Sequence, residues 1–290
     1  MNSHTKKLLA LYGLKWNPFG ADVPVEALLV TPRIESFLWR VEVLVGEGGF
    51  AVISGDPGTG KSVTLRILSD RLGAQREVVV GALTRPQSAI ADFYRELGEL
   101  FGVKLSPHNR WGGFKALREK WRAHLEASLF RPVLLVDEAQ TMDPEVLSEL
   151  RLLSSMNFDA TSILTVVLCG DGRLLDLLCH QELLPLGSRV RTRLITEPAT
   201  RQELLEFLEN ALEKAGNPDL MTRGVMETLV DHSAGNYRVL SMLAGELLSA
   251  GMARNVNQLD EKLYLEVFEQ SAPRRRRHSG EKGDNLNERR

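Results

Sequence analysis

The sequence predicts an α/β protein: a parallel sheet covered by helices on both faces, giving a three-layer α/β/α domain, followed by a small all-helical lid. Three observations predict it. Short β-branched or apolar runs alternate with amphipathic stretches between residues 31 and 198, a glycine-rich turn joins one such run to a helix, and beyond Pro198 helical periodicity continues without strands.

In chain order, residues 31–46 carry Ile34, Phe37, Leu38, Val41 and Leu44 at the spacing of one helical face. Residues 50–55 (FAVISG) read as a strand, and SVTLRILSDRL after the turn as a helix. Residues 78–83 are a second strand; SAIADFYRELGELFG and FKALREKWRAHLEAS are helices; PVLLVDEA, SILTVVLCG (162–170) and a shorter run near Leu194 are further strands. Helical stretches then follow at about 200–215, 222–233 and 237–253, punctuated by Asn217-Pro218 and Gly235-Asn236. The expected organisation is an N-terminal segment (1–30), an α/β domain (31–198), a helical lid (199–270) and a disordered basic tail (271–290). No internal repeat is present.

At 290 residues, 43% hydrophobic and 26% charged, the chain is long enough for one substantial core and a small second one. The formal net charge of -2 is uneven, because the last 18 residues hold seven basic and three acidic side chains. Only Cys169 and Cys179 are present, which excludes a disulfide scaffold and a cysteine zinc site and fits a reducing compartment. The apolar stretch near the N-terminus is interrupted by Tyr12, Lys15 and Asn17, and no run reaches the roughly 18 apolar residues a span needs, so a cytoplasmic, unanchored protein is expected.

Gly55-Asp56-Pro57-Gly58-Thr59-Gly60-Lys61-Ser62 matches the phosphate-binding pattern G-x-x-x-x-G-K-[ST] between a strand and a helix. Backbone N–H groups of such a loop converge on phosphates, the lysine reaches the β/γ-phosphates and the serine holds Mg2+. This points to ATP with Mg2+ as the cofactor. A second signal is VLLVDEAQ, where an apolar strand ends in Asp137 and Glu138 at the edge where nucleotide sites form. Asp137 is the expected second Mg2+ ligand, with Ser62, and Glu138 the group that orients or deprotonates the attacking water. An acidic pair after a strand also serves as a helix cap; its pairing with the phosphate loop is what gives it a catalytic reading.

These motifs, with YGLKWNPFG, TVVLCGDGRLLDLL and SAGNYRVLSMLAGELL, resemble the P-loop AAA+ ATPases of the ExeA type and the related ATPase helpers of DNA transposition, over about residues 10–265. The 76 residues between Lys61 and Asp137 leave room for the inserted strand of that family. The resemblance implies a polar sensor near Cys169-Gly170-Asp171, with Asp171 its nearest candidate. It implies an arginine finger for the neighbouring subunit at Arg189, with Arg191 or Arg193 as alternatives, and a second sensor at Arg238. Surface solvation is the competing reading for each arginine.

The resemblance further implies ATP-dependent self-assembly into a ring or filament and contact with double-stranded DNA. Arg85, Arg110 and Lys115 are the DNA candidates by location, although acidic residues interleave them. The implied function is an ATPase that recruits or activates a transposase. The alternative is an ExeA-type secretion-assembly ATPase at the cell envelope, ranked second because such proteins continue into a membrane span that this sequence lacks. Trp16, Trp39, Trp111 and Trp121 are expected to pack in the core, and His124 and His232 to be surface or packing residues rather than ligands.

Overall fold

A computed structural model of the chain describes residues 3–104, 110–127, 130–157 and 160–268. The expected basic tail lies outside the described residues. In chain order, α1 (Ser3–Tyr12), α2 (Pro32–Glu47), β1 (Gly49–Gly55), α3 (Lys61–Gly73), β2 (Val78–Leu83), α4 (Ile90–Leu100), α5 (Arg110–Glu126) and β3 (Arg131–Val136) come first. They are followed by α6 (Pro144–Ser154), β4 (Ser155–Met156), β5 (Thr161–Ser162), β6 (Thr165–Gly170), α7 (Gly172–Cys179), α8 (Leu184–Gly187) and β7 (Val190–Thr196). Four helices complete the described residues: α9 (Arg201–Ala215), α10 (Arg223–His232), α11 (Tyr237–Ala253) and α12 (Glu261–Phe268).

Five strands form one parallel sheet in the order β2-β3-β6-β1-β7. Side chains alternate along a strand, so a sheet buried on both faces needs apolar residues at every position. The central strands meet this requirement. Phe50 and Val52, Leu134 and Val136, and Val166 and Leu168 enter one core with α4, α5, α6 and α7. Ala51 and Ile53, Val133 and Leu135, and Val167 and Cys169 enter the other with α2 and α3.

A third cluster gathers α9 to α12 with Leu8, Tyr12 and Leu14. The first helix therefore packs among the C-terminal helices rather than on the sheet. Local chemistry sets these helix ends. Thr31 caps α2 with Pro32 following it, Thr200 and Glu203 form a reciprocal capping box on α9, and Gly216 closes that helix in the left-handed region.

The structure corrects several expectations. The run at 162–170 is not one strand: β5 turns back antiparallel on β4, and only residues 165–170 enter the sheet. α1, α6, α7, α8 and α12 are additional helices. Trp39 and Trp111, expected in the core, are 62% and 74% exposed, whereas Trp121 is buried.

One polar node lies beneath the helices covering the sheet. Glu149 of α6 is buried, accepts a hydrogen bond from the Tyr94 hydroxyl, and pairs with Arg110 at 2.7 Å, while Arg110 also reaches Glu145 at 2.8 Å. Burial, reinforced by the Glu149 hydrogen bond, pushes the Tyr94 phenol above its usual range, so it remains a donor. Arg110→Ala would leave Glu149 short of its countercharge. We expect a loss of about 2 kcal/mol, below the usual cost of breaking a buried pair because the guanidinium is half exposed. A urea midpoint unchanged by the substitution would refute this role.

Candidate nucleotide site at the carboxyl edge of the sheet

In a parallel sheet every strand ends at the same edge. β1 delivers Gly55 there and β3 delivers Asp137, with β6 between them, so loop and acid pair stand two strand spacings apart, about 10 Å. β7, on the other side of β1, brings Thr196 level with Gly55; Arg193 lies mid-strand, and Arg191 and the preceding Arg189 lie at the start of β7, at the opposite edge of the sheet.

The loop is organised around one carbonyl. Asp56 O accepts from Thr59 N (3.4 Å), Thr59 Oγ1 (2.7 Å) and Lys61 Nζ (2.8 Å). Lys61 is only 8% exposed, so its ammonium needs such a partner, and a neutral carbonyl is one that an anion can displace. Gly60 takes a left-handed conformation (φ 96°) as the N-cap of α3 and supplies no capping side chain. The first N–H groups of α3 are thus left to an anion. Thr59 Oγ1 also meets Thr196 Oγ1 at 2.6 Å, tying the loop to the end of β7.

Glu138 has a left-handed backbone (φ 53°, ψ 35°), sparsely populated for a side chain of this kind and the sort of strain that gathers at functional sites. Its N–H donates to Asp137 Oδ1 (3.0 Å), and its carboxylate accepts from Gln140 Nε2. Gln140 Oε1 in turn accepts the Asp171 N–H at 3.3 Å. The sequence reading passed over Gln140, although it stands in the same DEAQ run.

It also passed over the role of Cys169. Extending the β3–β6 register from Val136↔Leu168 sets Cys169 beside Asp137. Burial, then the neighbouring Asp137 carboxylate and its hydrogen bond, push the thiol well above its ordinary range. The thiol is the donor of that bond.

A cavity of about 280 Å3 opens above the loop. Gly60, Lys61, Ser62, Glu138 and Arg238 line its polar end; Trp16, Phe19, Leu28, Phe207 and Tyr237 line its apolar end. Arg66 of α3 holds the N-terminal segment across it by donating to the carbonyls of Ala21 and Val23. One pocket thus joins phosphate-type donors to flat apolar walls, the combination that a nucleotide requires.

The other anticipated residues are dispersed. Arg238, exposed, follows the Asn236 cap of α11 at the rim. Arg189 is half-buried and donates to the Pro185 carbonyl; Arg191 pairs with Glu47; Arg193 reaches Gly187 O at 3.5 Å. Asp171 caps α7 and chelates Arg173, which holds its carboxyl below the usual range. Its side chain is therefore already engaged.

Of the DNA candidates, Lys115 is exposed on α5, 3.7 Å from Glu119, and Arg85 is exposed beside Asp92 and Glu96. Arg110 is half exposed and already engaged, its guanidinium paired with exposed Glu145 and buried Glu149.

With this geometry in place, comparison with known proteins identifies the fold. Residues 45–178 match the family model described as an AAA domain. The chain has a P-loop AAA fold.

Over 253 residues it is 29% identical to general secretion pathway protein A of Aeromonas hydrophila, covering 86% of this chain and 45% of that protein. The chain therefore spans less than half the length of that relative. Among solved structures, Cdc6p from Pyrobaculum aerophilum superposes with a TM-score of 0.64 at 17% identity, covering 83% of this chain and 67% of that one. The Aeropyrum pernix ORC1 protein in complex with DNA gives 0.64 at 17% identity, covering 93% and 71%. These structural likenesses establish the AAA architecture.

The residues present fit a nucleoside triphosphate and a divalent cation: a helix start with no side-chain cap, a displaceable lysine, and hard oxygen donors at Ser62 and Asp137. Among the described residues no helix is long and apolar enough to cross a membrane.

The two thiols offer a test of this geometry. Because the Cys169 pKa is raised, its protonated form persists at pH 8, and the thiolate is the form that alkylates. Iodoacetamide on the folded protein at pH 8 should modify exposed Cys179 alone, and mass spectrometry would show both adducts only after unfolding. Rapid alkylation of Cys169 in the native state would contradict its placement against Asp137.

Proposed function

We propose that the chain is a Mg2+-dependent AAA+ ATPase that self-assembles when it binds ATP and, on double-stranded DNA, regulates transposition by recruiting or activating a transposase. One observation supports the ATPase reading above all others: the phosphate loop, the Asp137–Glu138 pair and Arg238 border one cavity or one sheet edge although they lie up to 183 residues apart in the chain.

Bound MgATP supplies a phosphoanhydride bond open to attack by water. The chain's own residues do the rest. Lys61 exchanges the Asp56 carbonyl for phosphate oxygens, a charge-assisted bond replacing a neutral acceptor. Ser62 and Asp137 are the oxygen donors placed to hold the cation. Glu138 leaves Gln140 to orient a water and accept its proton. Arg238 approaches from the lid side, and Arg189, or else Arg191 or Arg193, serves a neighbouring subunit's site; the guanidinium suits this because it is always charged and bridges phosphate oxygens.

The DNA reading draws on α5. Lys115 and Arg122 are exposed there, each paired with a glutamate of its own helix, at 3.7 and 3.4 Å. Such pairs are weak enough for phosphates to displace. The second reading, a secretion-assembly ATPase at the cell envelope, is supported by the similarity to general secretion pathway protein A.

Substitutions separate binding from turnover. Lys61→Ala should abolish ATP binding, whereas Glu138→Gln should keep affinity within about threefold and lower turnover by roughly 10²–10⁴. Steady-state ATPase assays with fluorescent-nucleotide titrations check both, and wild-type turnover in Glu138→Gln removes its assigned role.

DNA dependence separates the two partner readings. Retention of duplex DNA should require ATP and fall steeply between about 50 and 200 mM salt. Absent or salt-insensitive retention would leave the secretion reading standing.

A further inference from the structure

The chain between α10 and α11 makes an unusual return. Ala234 and Gly235 both take left-handed conformations (φ 49° and 78°), and they direct Asn236 onto the phosphate loop, 179 residues away in sequence. Asn236 then uses both ends of its amide. Its Oδ1 caps α11 by accepting from Arg238 N (3.0 Å) and Val239 N (3.1 Å), while its Nδ2 donates to Pro57 O at 2.9 Å. Beside it the Tyr237 N–H donates to Gly58 O at 3.1 Å. The approach is so close that a Cβ on Gly58, itself at φ 85°, would stand 2.1 Å from Asn236 Oδ1.

We propose that Asn236 is a positioning residue that latches the helical lid to the phosphate loop and holds the loop in its phosphate-binding form. The inference rests on the nucleotide reading of the site. A peptide plane is rigid, with C=O and N–H opposed. When the lid takes the carbonyls of Pro57 and Gly58, the N–H groups of Gly58 and Thr59 are turned away from it. Thr59 N closes the loop onto Asp56 O, and Gly58 N is left as a donor for an anion. The same cap begins the helix that presents Arg238 to the cavity. One side chain thereby sets both the loop's donors and the origin of the lid arginine.

The two jobs of Asn236 can be separated, because Asp and Ser cap helices about as well as Asn but cannot supply the Nδ2 donor. Asn236→Asp and Asn236→Ser in the full chain should keep the melting temperature within about 2 °C. They should weaken binding of a fluorescent ATP analogue by roughly five- to tenfold, the loss expected for one hydrogen bond, and raise KM for ATP with kcat changed less than about twofold. Without nucleotide, hydrogen exchange at the Tyr237 amide should rise by roughly tenfold in both variants.

Wild-type affinity and exchange in both variants would overturn the latch and reduce Asn236 to a helix cap. If the wild-type protein bound no ATP analogue while its Tyr237 amide stayed protected, the nucleotide reading would fall, and with it the function assigned to the latch. Binding by the wild type with none of the expected loss in the variants would overturn the latch alone.

Discussion

A parallel sheet buried on both faces has to turn its chain at the same edge after every strand, and most of this molecule's chemistry follows from that constraint. Apolar residues at every central position of β1, β3 and β6 commit the sheet to burial. Polar groups are then confined to strand ends. The phosphate loop, the Asp137–Glu138 pair, the Cys169 thiol and Thr196 at the end of β7 arrive at one rim although they are far apart in sequence, whereas Arg189 and Arg191 stand at the opposite edge, where β7 begins. The sheet order β2-β3-β6-β1-β7 also puts the end of β6 between loop and acids, so whatever stands at Cys169 and Gly170 must fit between them. Gly170 leaves the space that the Gln140 amide occupies: a Cβ there would lie 2.4 Å from Gln140 Oε1.

Much of this was legible in the sequence because it is local. A loop of eight residues between strand and helix and two carboxylates after an apolar strand are each written within a few positions. The rest depends on contacts that no spacing reveals. Gln140 matters because β6 passes beside it, and Asn236 because a turn with two left-handed residues brings it back to Pro57. The tryptophans misled for a related reason. Helical periodicity places Trp39 and Trp111 on a face, but whether another element covers that face is decided by the packing of the whole chain.

Charges divide by the same logic. Arg110 and Lys115 sit five residues apart on α5 and look equivalent as candidates for a phosphate backbone. The fold separates them. A buried carboxylate at Glu149 cannot be left unpaired, so it recruits Arg110 and Tyr94, while Lys115 pairs with the exposed Glu119. The cost of burying Glu149 thus commits Arg110 to a pair within the fold, and that pair is set by α6, a helix absent from the sequence reading.

The phosphate loop itself is gripped from two sides. Thr196, three residues beyond Arg193, meets Thr59 on one side, and Asn236 and Tyr237 meet Pro57 and Gly58 on the other. The strand that carries Arg191 and Arg193 therefore ends, and the helix that carries Arg238 begins, on the same short segment. No long chain of contacts is required for a change at the loop to be felt by both. Since Lys61 rests on Asp56 O within that segment, an anion drawing the lysine away acts on a loop whose remaining bonds are to β7 and to the lid. The free energy of such an exchange comes from replacing a neutral acceptor with a charged one, and only the part that differs between the gripped and released forms can move the lid.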